Sequence, residues 1–309
     1  MATVTQVWSE ARGRPVIICD FSPPRGADLA TVAEVRQVGA ELVCVASNPG
    51  KSVRVDSAVM TSRVKEAGGP EVVFNLACRD MNRLALQSYL LGAHLLGLEN
   101  VLVVRGDAFT EQERTLVKEV NDYRPTELIL AIKRMNEGVD FRGLKLRRPT
   151  AFCVGASIDL SAPDVARQAV LAQEKMEAGA DFFLTQAFYE VARAQRFLEA
   201  YLRLTGTEFP RPVFYGLQVP TQDGVALSRV PEGIVQQLEQ GRPGTDIALE
   251  LLRTFLANGL AGIYLVPPIL KGGRRDYEAA RQVLEGIGRA SGAQPPARLG
   301  PPPAGPTAS

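Results

Sequence analysis

The sequence is poor in the residues that build metal centres and covalent catalytic sites. Its 309 residues include one histidine, His94, and four cysteines. The cysteines (Cys19, Cys44, Cys78 and Cys153) form no CxxC pair, and each lies in or at the end of an apolar run, which is typical of buried, reduced thiols. A zinc site, a disulfide framework and an iron–sulfur cluster on this chain are therefore not expected. His94 lies inside a predicted helix and is interpreted as structural.

A charge excess and a long apolar segment are also missing. The chain has 35 basic and 34 acidic residues, a formal net charge of +1, which gives no electrostatic reason to expect nucleic acid or an anionic membrane as a partner. No apolar run approaches the roughly 20 residues of a membrane span. The first residues lack the apolar core of a signal peptide. We therefore expect a cytoplasmic protein that binds neither nucleic acid nor membrane.

What the sequence does contain is a regular repeat of strand-like and helix-like segments. Eight apolar runs begin near residues 16, 42, 72, 101, 151, 182, 213 and 263, and helical patterns follow them. Continuous rather than alternating apolar runs indicate parallel strands that are buried on both faces. This pattern predicts an α/β protein with a single (β/α)₈ TIM-type barrel. A doubly wound open sheet is the alternative, which is disfavoured because no G-x-G-x-x-G turn follows the first strand.

The repeat also predicts the domain organisation. Residues 1–14 form an N-terminal lead-in, residues 15–290 form the barrel, and residues 291–309, rich in Pro, Ala and Gly, form a disordered tail. Residues 108–126 are the first connection that is too long for a minimal turn. Long loops in compact domains often carry function.

The predicted strand ends carry polar residues that point to a binding site. All strands of a barrel end on one face, so their last residues line one site. In order, the strand ends carry Asp20, Ser47, Asn48, Asn75, Arg105, Asp107, Ser157, Gln186, Gln218 and the run from Tyr264 to Pro268. This set can hydrogen-bond a polar heterocycle, but it contains no Ser/His/Asp triad and no lysine for a Schiff base. An organic cofactor would therefore supply any redox chemistry.

Several of these residues also have a purely structural interpretation. Asp20 could form a turn, Arg105 and Asp107 could close a turn as an ion pair, and Gln186 could be a buried amide bonded to the backbone. These alternatives stay open from the residues alone.

Six segments at the predicted strand ends carry a family resemblance. They are CDFSPPRG at 19–26, VCVASNP at 43–49, NLACRDMNRLALQSYLLGAHLLGLENVLVVRGD at 75–107, MNEGVDFRGLKL at 135–146, TAFCVGAS at 150–157 and EKMEAGADFFLTQAFYE at 174–190. Over roughly residues 15–290 the chain resembles the methylenetetrahydrofolate reductase family of flavin-dependent barrels. It looks closest to the branch that is also found fused to homocysteine methyltransferase domains.

The resemblance implies an activity and a place in metabolism. The expected reaction is the FAD-dependent reduction of 5,10-methylenetetrahydrofolate to 5-methyltetrahydrofolate, with NADH or NADPH as electron donor. This reaction belongs to one-carbon metabolism and methionine biosynthesis. The implied ligands are FAD, a folate and NAD(P)H, with no metal.

The resemblance also implies roles for individual residues. Asp20 would be the catalytic acid, and Asp107 would be catalytic while contacting both flavin and pterin. FAD binding is implied for Ala46, Ser47, Asn75, Arg105, Gly106, Asp107 and Lys175. Folate binding is implied for Gln186, Gln218 and Asp107.

Three positions depart from the family pattern. The family commonly has threonine where Ala46 stands, histidine where Asn75 stands, and glutamate, one methylene longer, where Asp20 stands. These departures motivate a second hypothesis, a folate- or pterin-binding barrel with lost or altered flavin chemistry. A third hypothesis is a reductase subunit that needs an electron-delivering partner protein. A homo-oligomer is also left open.

Overall fold

The computed structural model describes residues 1–290, and the predicted tail at 291–309 lies outside the described residues. Eight parallel strands form a closed barrel in sequence order, so that the last strand pairs with the first. The strands are β1 (Val16–Phe21), β2 (Leu42–Val45), β3 (Glu71–Ala77), β4 (Asn100–Val104), β5 (Cys153–Ile158), β6 (Phe182–Ala187), β7 (Val213–Gln218) and β8 (Gly262–Val266). The predicted single (β/α)₈ barrel is thereby confirmed, and the open sheet is excluded.

At least one helix follows every strand. Within residues 1–290 the α-helices are α1 (Val4–Glu10), α2 (Ala30–Arg36), α3 (Ser57–Glu66), α4 (Arg83–Leu95), α5 (Pro125–Asn136), α6 (Val165–Glu177), α7 (Val191–Thr205), α8 (Glu232–Glu239), α9 (Gly244–Ala257) and α10 (Tyr277–Ala290). None of the helices in this range is both long and apolar enough to cross a membrane. Short 3₁₀ turns at Pro49–Lys51, Glu113–Thr115 and Lys271–Gly273 lie in the loops after β2, β4 and β8.

The barrel wall separates two hydrophobic clusters because successive strand residues point to opposite faces. Residues such as Ile17, Cys19 and Phe21 of β1 pack outward against the helices. The cluster inside the barrel contains Val16, Ile18, Leu42, Cys44, Val73, Leu102, Cys153, Phe182, Leu184 and Phe214. By the same alternation, Asp20 follows Val16 and Ile18 on the inner face.

The four cysteines and the single histidine pack against neighbouring side chains of the fold. All four cysteines are buried and free, as the sequence predicts. His94 lies in α4, and its ring packs edge-on against Phe152 with the centroids 5.7 Å apart.

Helix α1 lies across the amino-terminal end of the barrel. Val4 is fully buried with the inner cluster, and its N–H donates to Asn100 Oδ1 at 2.9 Å, at the start of β4. Trp8 packs edge-on against Phe214 with the ring centroids 5.6 Å apart. A Cβ at Gly262, the first residue of β8, would lie 3.1 Å from the Trp8 ring. Residues 1–14 therefore cover the interior of the barrel at its amino-terminal end.

Candidate active site at the carboxyl end of the barrel

The inner layer nearest the carboxyl ends of the strands is polar over four neighbouring strands. The Tyr264 hydroxyl on β8 donates to Asp20 Oδ1 on β1 at 2.7 Å. Asp20 lies beside Cys44 of β2 in the strand register. The Cys44 thiol in turn donates to Asn75 Oδ1 on β3 at 3.0 Å. The structure thus brings Asp20 and Asn75, both predicted site residues, into one continuous layer.

Asp20 is held from two sides. Arg275 Nε donates to its Oδ2 at 2.8 Å, and Tyr264 donates to its other oxygen. Only 4% of Asp20 and 8% of Arg275 is exposed to solvent. A guanidinium on one oxygen and a phenol on the other fix the orientation of this carboxyl group. Within this group Tyr264 is the hydrogen-bond donor and Asp20 is the acceptor.

The ionisation of the neighbours agrees with this arrangement. Burial and then the negative charge of Asp20 raise the pKa of Tyr264 well above its ordinary value, so the phenol remains a donor at neutral pH. The same two causes raise the pKa of the Cys44 thiol. Burial alone would lower the pKa of Arg275, but the Asp20 charge and hydrogen bond raise it.

The loop after β4 presents Arg105 and Asp107 to solvent on either side of Gly106. Gly106 has φ +87°, and a Cβ there would lie 2.9 Å from Arg79 Cβ. Only glycine fits this conformation at such a close approach. No hydrogen bond or ion pair within residues 1–290 occupies the Arg105 guanidinium or the Asp107 carboxylate, and both are free to bind a ligand.

Arg79 fixes the position of the loop after β4 through a hydrogen bond to its backbone. The sequence analysis did not include Arg79 among the predicted site residues. Its Nη1 donates to the Asp107 carbonyl at 2.8 Å, and its Nε pairs with Asp80 at 2.6 Å. The guanidinium lies 4.5 Å from the centre of the Phe109 ring. The sequence signal was available, because Arg79 follows β3 within the segment that carries the resemblance.

An ion pair joins the long loop at 108–126 to the loop after β2. Lys51 Nζ pairs with Glu113 Oε2 at 2.6 Å. The hydrogen bonds from Lys51 and from the Thr110 backbone lower the pKa of Glu113 to about 2. The rim formed by β2, β3 and β4 is therefore bordered by an ordered loop.

This rim suits a flat polar heterocycle. Ala46 and Gly106 carry little or no side chain and so place little bulk at the ends of β2 and β4. Because Asn75 Oδ1 accepts from Cys44, its Nδ2 remains available as a donor. Ser47 and Arg105 add further polar groups. The residues present thus fit the isoalloxazine of a flavin.

Lys175 lies apart from this rim. It is part of α6, and its Nζ donates to the Ser157 carbonyl of β5 at 2.5 Å. Burial lowers its pKa to about 8. The ammonium is occupied by the barrel wall, and no hydrogen bond within residues 1–290 joins it to Arg105 or Asp107.

The two predicted glutamines have different environments. Gln186 is exposed at a bulge in β6, which Thr185 stabilises by accepting from Gly216 N at 2.8 Å and donating to the Gln186 carbonyl at 2.9 Å. A bulge re-aims the side chain at its position. Gln218 is only 2% exposed, and its amide donates to Val225 O and accepts from Leu227 N. Gln218 therefore anchors the loop after β7.

The comparison with known families decides the classification. A sequence model of the family described as "Methylenetetrahydrofolate reductase" matches residues 6–222, most of the chain. The chain belongs to the methylenetetrahydrofolate reductase family. The matched residues run from α1 to just past β7, so Tyr264 and Arg275 lie outside the matched part.

Two curated members of the methylenetetrahydrofolate reductase family are similar to the chain. "Probable methylenetetrahydrofolate reductase (NADPH)" of Caenorhabditis elegans is 22% identical over 299 residues, covering 87% of this chain and 42% of its own length. "Methylenetetrahydrofolate reductase 2" of Schizosaccharomyces pombe is 24% identical over 193 residues, covering 56% of this chain and 28% of its own length. The chain thus spans less than half the length of these relatives.

A solved structure shares the fold of this family member. It is a Clostridium thermocellum protein that binds two copies of 5-methyl-5,6,7,8-tetrahydrofolic acid. The TM-score is 0.62 at 12% identity, over 90% of this chain and 96% of that one. At this identity the likeness concerns the barrel fold alone.

Proposed function

We propose that the chain reduces 5,10-methylenetetrahydrofolate to 5-methyltetrahydrofolate, with FAD as cofactor and NADH or NADPH as electron donor. The observation that carries the proposal is the hydrogen-bonded Asp20–Tyr264–Arg275 group next to the ends of β2–β4. Family membership supports the same reaction, and the names of the two curated relatives agree with it. The folate bound by the Clostridium thermocellum protein agrees with the substrate class.

The rim of β2–β4 would hold the flavin ring. Bound FAD would supply the hydride chemistry that the side chains of this site lack. Ala46 and Gly106 would let the ring approach the strands, and Asn75 Nδ2, Ser47 and Arg105 would donate to its polar edge. We assign Lys175 a structural role instead of the diphosphate contact, since its ammonium already binds the Ser157 carbonyl.

Asp20 and Tyr264 would position the proton that is needed to open the methylene bridge of the substrate. Asp20 accepts one hydrogen bond at each oxygen, and the donor to Oδ1 is the Tyr264 hydroxyl at 2.7 Å. Tyr264 would hold the proton at its hydroxyl oxygen, and Asp20 would orient that hydroxyl and stabilise charge that develops next to it. Arg275 would hold Asp20 in place through its 2.8 Å contact.

Asp107 and Gln186 would orient the folate. Both side chains are exposed at the carboxyl end of the barrel, where the Asp107 carboxylate accepts from N–H donors and the Gln186 amide can both donate and accept. A pterin ring offers both kinds of group. Gln218 would affect folate binding indirectly, because its two backbone hydrogen bonds fix the loop after β7.

The test measures product and flavin binding separately. The full chain is incubated with FAD, with NADH or NADPH and with 5,10-methylenetetrahydrofolate, and 5-methyltetrahydrofolate is quantified by chromatography. We expect product from the unaltered protein. Asp20→Asn should lower kcat by about 100-fold, because it removes the group that orients the proton-bearing Tyr264 hydroxyl, while the absorbance of bound FAD persists. Tyr264→Phe should lower kcat and leave the shape of the pH profile near neutrality unchanged, because burial and the Asp20 charge raise the pKa of Tyr264 well above its ordinary value.

Tyr201→Phe is the matched control, because the Tyr201 hydroxyl bonds Gln173 between α6 and α7, away from the strand ends. It should leave kcat unchanged. Absence of any FAD binding would contradict the proposal in favour of a folate- or pterin-binding barrel. Product that forms only with a chemical reductant would instead indicate a subunit that needs an electron-delivering partner.

A further inference from the structure

A second polar site lies beside the first, on the outer side of Asp20. Loops after β1, β2 and β8, together with residues of α2 and α10, line a cavity of about 190 Å³. Its lining is Ser22, Pro24, Arg25, Thr31, Arg54, Gly272, Gly273, Arg274, Arg275 and Tyr277. Four of these ten residues are arginines, and none is acidic.

The positive charge of this cavity is only partly neutralised. Arg275 pairs with Asp20, but no carboxylate within residues 1–290 lies at ion-pair distance from Arg25, Arg54 or Arg274. Burial, followed by the charges of Arg275 and Arg25, lowers the pKa of Arg54. Several like charges gathered without counter-ions favour an anion between them.

Three buried polar atoms in the same lining have no hydrogen-bond partner in the described part of the chain. They are Arg54 Nε, Ser22 Oγ and Thr31 Oγ1. Ser22 is only 8% exposed, so water does not reach it freely. Buried polar groups are nearly always paired, and donors left without a partner cost free energy. A ligand with several acceptor oxygens would satisfy them together.

The loop after β8 is shaped to cover Arg54. Gly272 and Gly273 have φ of +83° and +81°, and a Cβ at Gly273 would lie 2.8 Å from Arg54 Nη2. Arg54 Nη1 donates to the Pro23 carbonyl at 3.1 Å, which fixes the guanidinium from the opposite side. The guanidinium is therefore held in place before any ligand arrives, and its Nε remains unused.

We infer that this cavity binds an oxyanion, a phosphate or carboxylate group, through Arg54, Arg25 and Arg274. The Ser22 and Thr31 hydroxyls would donate to its remaining oxygens. Arginine suits both groups because its planar fork can bind two oxygens at once. Arg275 lines the cavity and also binds Asp20, so the bound anion would lie next to the proposed catalytic group.

Isothermal titration calorimetry of the full chain, without flavin, folate or nicotinamide, tests the inference independently of the proposed reaction. Inorganic phosphate and glutarate are titrated separately at low ionic strength, where screening is weak. We expect at least one of them to bind. Arg54→Gln should weaken binding about tenfold, and Arg25→Gln about threefold, since each removes charge-assisted hydrogen bonds. Arg196→Gln, an exposed arginine on α7, is the control and should leave binding unchanged.

Each titration result either supports or overturns the inferred oxyanion site. Binding of phosphate alone identifies a phosphate-bearing ligand, binding of glutarate alone identifies an acidic substrate group, and binding of both supports a general oxyanion site. If Arg54→Gln fails to fold by circular dichroism, the exposed Arg25→Gln and Arg274→Gln variants carry the test. Heat from neither titrant, or equal affinity in all the arginine variants, overturns the inference.

Discussion

At the scale of single residues, the side chain that most constrains the candidate site is Arg79. It is 4% exposed, pairs with Asp80 and holds the Asp107 carbonyl, so it links the ends of β3 and β4. Its Cβ also makes glycine necessary at Gly106. The position of the Asp107 carboxylate therefore depends on a residue that need not touch any ligand.

Replacing Arg79 with methionine should loosen this loop and destabilise the fold. Breaking a fully buried ion pair costs ~3–5 kcal/mol, but Asp80 is partly exposed, so we expect about 2 kcal/mol. Urea unfolding measures the change in the free energy of unfolding. Arg83→Met is the control, because Arg83 is exposed and stacks on Tyr123 at 4.8 Å, and it should cost about 0.5 kcal/mol or less. Equal losses in the two variants would show that Arg79 has no special role.

The contacts of two predicted site residues, Asp20 and Gln218, could not be predicted from the sequence. Asp20 was identifiable as a strand-end carboxylate, yet Arg275, its ion-pair partner, lies 255 positions away. Gln218 was predicted to face the folate, but its amide is bonded to the backbone of its own following loop. Both contacts depend on loop conformations, which residue type and spacing do not specify.

At the scale of elements, the eight strands were predictable because each is a continuous apolar run that is buried on both faces. The bulge in β6 was not. It lies where the Thr185 hydroxyl accepts from Gly216 N across the strands, a contact that residue type alone does not specify. Yet this bulge decides that Gln186 is exposed while its neighbours Thr185 and Ala187 are buried.

Gly216→Ala tests the bulge. A Cβ at Gly216 would lie 2.6 Å from the backbone of Gln186, which cannot yield without moving the strand. We expect a loss of about 2 kcal/mol, within the usual range for overpacking. Gly92→Ala, in the interior of α4 with no atom within 4 Å, should instead stabilise by about 0.5–1 kcal/mol. Thermal unfolding compares the two. A Gly216→Ala variant as stable as the parent would mean that the close approach is not required.

At the scale of the whole molecule, closure of the barrel makes every strand depend on two neighbours, and α1 adds a floor to its interior. The predicted domain boundary at residue 15 separates α1 from the barrel. The hydrogen bond from Val4 to Asn100 joins α1 to β4, and the Trp8 ring lies close to Gly262 of β8. If α1 is part of the cooperative unit, it should unfold together with the strands.

The only tryptophan in the sequence, Trp8, lies in α1 and reports on this point directly. Urea unfolding followed by Trp8 fluorescence and by far-ultraviolet circular dichroism should give coincident midpoints, since a single cooperative unit loses all its contacts at once. Asn100→Ala removes the side chain that accepts from Val4 N and donates to Val72 O, and should move both midpoints down together. An earlier fluorescence midpoint, in either protein, would instead show that α1 detaches before the barrel opens and that the boundary at residue 15 is a real one.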